Sequence, residues 1–147
     1  MVSQPSSLDS PAIHVLLVED NPDDAVLIRR TFLRAGRNHW KLAQVERLEE
    51  AISICKEYKA QAGQNFDVIL LDLRLPDSSG LGTVLKFRQA IPDIPVVVIT
   101  AIDDEDLALA SIRAGVQDYL SKEDITIQQL IRAVRFAIER SAALTQT

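Results

Sequence analysis

Apolar and polar positions in this chain follow two alternating rhythms. Short apolar runs, Ile13-His14-Val15-Leu16-Leu17-Val18, Val68-Ile69-Leu70-Leu71 and Pro95-Val96-Val97-Val98-Ile99, are separated by longer segments of helical period. Runs this apolar read as strands buried on both faces of a parallel sheet, and the segments between them as crossover helices. A short second strand is expected over Lys41–Val45 and a last one near Gln117–Ser121. Asn21-Pro22-Asp23-Asp24 reads as a helix start, because Asn21 can cap, Pro22 suits the first turn and the acids complement the positive dipole end. Ala25, Ile28, Phe32 and Ala35 then mark one face, and Gly36 supplies a stop. Leu48, Ala51, Ile52, Cys55 and Tyr58 mark a second helix. Val84, Phe87 and Ile91 mark a third, after the turn-rich Leu75-Pro76-Asp77-Ser78-Ser79-Gly80. The acidic run Asp103-Asp104-Glu105-Asp106 opens a fourth, whose stripe (Leu107, Ala110, Ala114) is the poorest. Ile127, Leu130, Ile131, Val134 and Ile138 line the last. The expected fold class is α/β: five parallel strands and five helices as (βα)5, helices on both faces, with right-handed crossovers.

Open sheets of this kind carry their chemistry beyond the carboxyl ends of the strands. The first strand delivers Glu19 and Asp20 there, the third Asp72, the fourth Thr100 and the last Lys122. Three acids, a hydroxyl and an ammonium therefore converge on one rim.

Composition narrows the function classes. A chain of 147 residues with 47% hydrophobic and 25% charged residues is a globular domain of ordinary size. A net charge of -5 argues against a nucleic-acid partner, whose footprint is basic. No apolar stretch reaches the roughly 20 residues that span a bilayer. Residues Met1 to Ser10 lack the cationic start and apolar stretch of a signal peptide. Cys55 stands alone, so no disulfide framework exists and a cytoplasmic setting is expected. The expected boundaries are a flexible tail over 1–11, the folded domain over 12–141 and a short tail over 142–147.

The motifs together carry a resemblance. Val18-Glu19-Asp20-Asn21-Pro22, Leu71-Asp72-Leu73-Arg74-Leu75-Pro76-Asp77 with Gly80, Ile99-Thr100-Ala101 and Asp118-Tyr119-Leu120-Ser121-Lys122 resemble the receiver domain of bacterial two-component response regulators, over roughly residues 13 to 140. The resemblance implies a flavodoxin-like, doubly wound sheet. It implies a signalling role rather than an enzyme's: Asp72 accepts a phosphoryl group from a phosphohistidine on a sensor histidine kinase or a phosphotransfer protein. Mg²⁺ is the implied cofactor, with carboxylate oxygens from Asp20 and Asp72, Glu19 acting mostly through water and Arg74 offering its carbonyl. Thr100, the Ala101 N–H and Lys122 are the implied phosphate-binding groups. Thr100 and Tyr119 are the implied switch pair, biasing a partner or dimer surface on the fourth helix, last strand and last helix. The opening motif resembles single-domain regulators that partner bacterial phytochromes. The ending Arg135-Phe136-Ala137-Ile138-Glu139-Arg140 resembles receivers whose last helix extends toward a further domain, and a homodimer through that helix is one expected assembly.

One departure from the pattern stands out. Lys122 is followed by Glu123-Asp124, where most receivers have a proline joined by a cis bond. A cis bond before a non-proline residue costs about 2.5–4 kcal/mol, and two extra carboxylates beside Lys122 compete for its charge.

Other readings are weaker. A haloacid dehalogenase-type hydrolase resembles Asp-x-Asp, but the second position here is Arg74. A phosphorylation-independent pseudo-receiver is the main alternative, opposed by the full set of Glu19, Asp20, Asp72, Thr100 and Lys122. His14 and His39 sit in no ligand pattern, and Cys55 reads as an inert core thiol. Gly80 and Gly82 begin no dinucleotide fingerprint, because Leu85 holds the third position. Arg29, Arg30, Arg34 and Arg37 read first as a solvated face and second as a kinase-docking surface.

Overall fold

The computed structural model describes residues 12–36 and 38–146. Its strands are β1 (Ile13–Val18), β2 (Trp40–Val45), β3 (Val68–Leu71), β4 (Val96–Thr100) and β5 (Asp118–Ser121), all parallel, in the spatial order β2-β1-β3-β4-β5. The helices are α1 (Pro22–Ala35), α2 (Leu48–Ala62), α3 (Leu81–Ala90), α4 (Glu105–Arg113) and α5 (Ile127–Gln146). This is the flavodoxin-like order, in which the chain reverses direction across the sheet between β1 and β3. Registers set Val18 beside Leu71, Leu71 beside Val98 and Thr100 beside Ser121, so the strand ends that carry Glu19, Asp72 and Thr100 are level.

The pleat divides the core into two halves. Leu16 and Val18 of β1 point with Ile69, Leu71, Val96 and Val98 toward Leu48, Ala51 and Cys55 of α2 and Val84 and Phe87 of α3. Val15 and Leu17 point with Val68, Leu70, Val97 and Ile99 toward Ala25, Ile28 and Phe32 of α1 and Leu130, Val134 and Ala137 of α5. Strands buried on both faces are what their uninterrupted apolar character requires.

Helix ends follow the chemistry of their residues. Asn21 Oδ1 accepts the N–H groups of Asp23 and Asp24 at 2.9 and 3.1 Å and starts α1. Asp104 does the same for Asp106 and Leu107 at α4. Ser111 is the fully buried residue of α4, while Leu109 and Ile112 are exposed, in keeping with its weak apolar stripe. Between β3 and α3, Arg74–Leu75 pairs antiparallel with Ser78–Ser79 in a small hairpin. Gly80 ends this hairpin at φ 69°, a conformation that L side chains rarely adopt.

Strand ends shift by a residue, and two boundaries differ for a physical reason. β2 begins at Trp40, because its indole packs edge-on against Phe32 (ring centroids 4.9 Å apart) and under the Arg135 guanidinium. α5 continues to Gln146, past the boundary expected at residue 141. The expected tail over 1–11, and Arg37 of the first-helix cluster, lie outside the described residues. Among the described residues no helix is long and apolar enough to cross a membrane.

Candidate functional site

The rim residues meet as the strand order requires. Glu19 and Asp20 leave β1 beside Asp72 leaving β3, and one carboxylate oxygen from each lies within 4.8 Å of the others. Glu19 is fully buried, Asp72 is 3% exposed and Asp20 faces solvent. Asp72 Oδ1 accepts the Thr100 hydroxyl at 2.8 Å and the Arg74 N–H at 3.2 Å. Asp72 Oδ2 accepts from the Lys122 ammonium at 2.8 Å. Glu19 Oε2 accepts the Asn21 N–H at 3.1 Å, while Oε1 meets Lys122 as an ion contact at 2.5 Å. A depression of about 440 Å³ opens over these groups and is also bordered by Asn21, Arg74 and Ala101.

The charges explain the titration of the site. Burial pushes the Glu19 carboxyl up, and Asp72 adds to the push; Lys122 opposes it, leaving Glu19 at about 7. Burial works against the Lys122 ammonium, but Asp24, Asp72 and Glu19 outweigh it and raise its pKa above the usual lysine range. An all-oxygen donor set with one solvent-facing carboxylate suits Mg²⁺, which accepts one or two carboxylates and keeps several waters. A carboxyl whose pKa is pushed up chiefly by burial is also a group whose charged form a divalent cation would favour.

Every site residue expected from the sequence lies at this rim or behind it. Thr100 is buried and turned to Asp72, and its oxygen lies 3.4 Å from the Ile102 N–H. Tyr119 is half-buried and donates its hydroxyl to the Ile102 carbonyl at 3.0 Å. Burial, with Asp104, Asp103 and Asp72 nearby, raises its phenol pKa.

In the lysine loop the structure decides between a trans bond and a strained cis one, and corrects which acid competes for the ammonium. No peptide bond among the described residues is cis, so Lys122–Glu123 is trans. The competing acid is Asp24 rather than Glu123 or Asp124. Asp24 Oδ2 lies 2.8 Å from the ammonium, whereas Glu123 and Asp124 are exposed and make no ion pair with it. Asp24 sits in the first turn of α1, where it complements the helix dipole as expected and also reaches the rim. Arg29, Arg30 and Arg34 are exposed on α1, and Arg30 and Arg34 border a groove of about 340 Å³ between α1 and the start of α5. Burial pushes the Cys55 thiol up to about 12, which fits an inert core residue.

The comparisons agree with this geometry. The model of the response regulator receiver domain matches residues 15–135. The chain is 34% identical to the KDP operon transcriptional regulatory protein KdpE of Escherichia coli, over 90% of this chain and 54% of KdpE. It is 33% identical to the swarming motility regulation protein RssB of Serratia marcescens, over 88% of this chain and 55% of RssB. The chain thus spans about half the length of these curated relatives. Among solved structures it is similar to the phosphorylated cyanobacterial phytochrome response regulator RcpA, with TM-score 0.68 and 27% identity, covering 86% of this chain and 91% of that one. A response regulator receiver domain protein from Clostridium thermocellum shares the fold, with TM-score 0.73 and 22% identity over 89% of this chain and 98% of that one.

Proposed function

The chain belongs to the response regulator receiver domain family of two-component signalling, and from that premise we propose that Asp72 is its phosphoacceptor, charged by a sensor histidine kinase with Mg²⁺. The observation that carries this reading is the environment of Asp72. It is a buried carboxylate whose two oxygens are held by Thr100, the Arg74 N–H and Lys122, beside two further acids.

In the proposed step an Asp72 oxygen bonds to phosphorus as the phosphorus–nitrogen bond of a phosphohistidine breaks, and the imidazole keeps the electron pair. A carboxylate and an anionic phosphoryl group repel each other, so transfer depends on neutralising charge and fixing positions. Mg²⁺ bound to Asp20, Asp72 and the Arg74 carbonyl, with Glu19 acting through water, would supply most of that neutralisation. Lys122 is the point charge for one phosphoryl oxygen. The Thr100 hydroxyl and the Ala101 N–H donate to the others. The product is a signal, and its readout is the Thr100–Tyr119 pair acting on the surface of α4, β5 and α5, where Leu109, Ile112 and Phe136 lie exposed. A partner protein or a second copy of the chain would read that surface. Likeness to RcpA makes a phytochrome-type kinase the first donor to try.

Intact mass after incubation with acetyl phosphate tests the reading. One added phosphoryl group that needs both Mg²⁺ and Asp72, and is absent from Asp72→Asn, supports it. No adduct under any condition sinks it and leaves a phosphorylation-independent interaction module.

A further inference from the structure

The Lys122 ammonium has three N–H donors, and three carboxylates meet it: Glu19, Asp24 and Asp72. Glu19 and Asp72 belong to the acidic trio of the site. Asp24 does not. It comes from the first turn of α1, where its own N–H is fixed to the Asn21 cap, and it reaches across 98 positions of sequence to the ammonium. Little in the lysine's own loop aims the side chain. The Lys122 N–H is bonded to the Thr100 carbonyl at 2.9 Å, and Glu123 holds only a long 3.4 Å bond to Ser121 Oγ. The groove between α1 and α5, bordered by both Asp24 and Lys122, lies open beside the four-carbon stem.

We propose that Asp24 is a positioning residue for phosphorylation, clamping the Lys122 ammonium from the α1 side so that it stays over Asp72. This rests on the phosphoacceptor reading above. When Asp72 becomes an acyl phosphate, its oxygen loses charge and becomes a poor acceptor, and the N–H it held turns to a phosphoryl oxygen two bonds further on. Asp24 forms no bond to phosphorus and keeps its own N–H of the lysine throughout. Without it, Glu19 is the one carboxylate left on the ammonium after transfer, and nothing on the α1 side keeps the stem out of the α1–α5 groove. α1 thereby does what the loop after Lys122 does not.

The test is the rate of phosphorylation by acetyl phosphate, read by intact mass, for wild type, Asp24→Ala, Asp24→Asn, Lys122→Ala and the double variant Asp24→Ala/Lys122→Ala, each checked for folding by thermal melting. Asp24→Ala is expected to slow the reaction by about tenfold, and Asn, which retains an oxygen acceptor, to recover part of the loss. In the Lys122→Ala background the Asp24 substitution is expected to add almost nothing, because its effect travels through the lysine. A wild-type rate in Asp24→Ala would overturn the proposal, as would the same loss with Lys122 already removed. If wild type itself gives no Asp72-dependent adduct, the phosphoacceptor reading has failed instead.

Discussion

Asp77 caps α2 from 29 positions away: its Oδ1 accepts the Leu48 N–H at 2.9 Å, and its Oδ2 accepts the Glu49 N–H at 3.0 Å. Arg47, which stands at the cap position of α2, makes no side-chain capping bond, so the hairpin after Asp72 supplies the missing acceptor. Slight burial pushes the Asp77 carboxyl up, but the Glu49 and Leu48 N–H groups outweigh this and hold it below the usual range. Asp77→Ala should therefore cost about 1 kcal/mol of stability in urea unfolding. The sign with pH is definite: a carboxyl depressed in the folded state contributes stability above its unfolded pKa and loses it as pH falls through its folded pKa. The variant should show a flatter acid limb than wild type, and an identical acid limb would count against the cap.

That cap marks where the sequence stops being legible. The sheet could be read from β1, β3 and β4 because burial on both faces leaves uninterrupted apolar runs. The rim could be read because strand ends deliver Glu19, Asp72 and Thr100 to one edge. Asp77 read only as a turn residue and Asp24 only as a first-turn acid, because both act on groups distant in sequence. α5 runs to Gln146 because the residues past 141 carry no glycine or proline stop, a signal that the domain boundary expected at 141 does not use. Trp40 reads as the anchor of β2 and the structure makes it the strand's first residue, held by Phe32 and Arg135 on two different helices.

Glu19 provides a second pH signature, of opposite sign. Its folded pKa of about 7 lies above its ordinary value of 4.5, so the folded protein holds a proton that the unfolded chain has released. Without metal, the contribution of Glu19 to stability should fall as pH rises from about 4.5 to about 7. Mg²⁺ favours the carboxylate, so its affinity should rise over the same interval and its binding should release protons near neutral pH. Calorimetry in two buffers of different ionisation enthalpy would count those protons. Glu19→Gln should abolish the release; a variant that releases as many protons as wild type would refute the assignment.

The two-sided core makes a contrast between two helical positions informative. Phe87 of α3 is fully buried against Val84, Leu71 and their neighbours, whereas Leu109 of α4 is 56% exposed. Phe87→Ala should cost about 3–5 kcal/mol through lost burial and a residual cavity. Leu109→Ala should change stability by no more than about 0.5 kcal/mol while altering whatever binds the α4 surface. Equal unfolding midpoints for the two variants would contradict this division between core and surface.

Thr100 and Tyr119 can be separated by removing one hydroxyl at a time. The buried Thr100 hydroxyl donates to Asp72, and the Tyr119 hydroxyl donates to the Ile102 carbonyl, two residues beyond Thr100. Thr100→Val keeps the shape but leaves a buried carboxylate one donor short, which should cost about 1–3 kcal/mol. Tyr119→Phe removes a single half-buried hydrogen bond and should cost about 0.5–1.5 kcal/mol. The kinetic consequences should differ as well. Loss of the Thr100 donor should slow phosphorylation by acetyl phosphate, because that hydroxyl bonds Asp72, the proposed acceptor. Tyr119→Phe should leave that chemistry largely intact and change only how phosphorylation alters partner binding or self-association, measured by light scattering before and after modification. A Tyr119→Phe protein whose association responds to phosphorylation as wild type does would remove Tyr119 from the output path and leave its hydroxyl a purely structural contact.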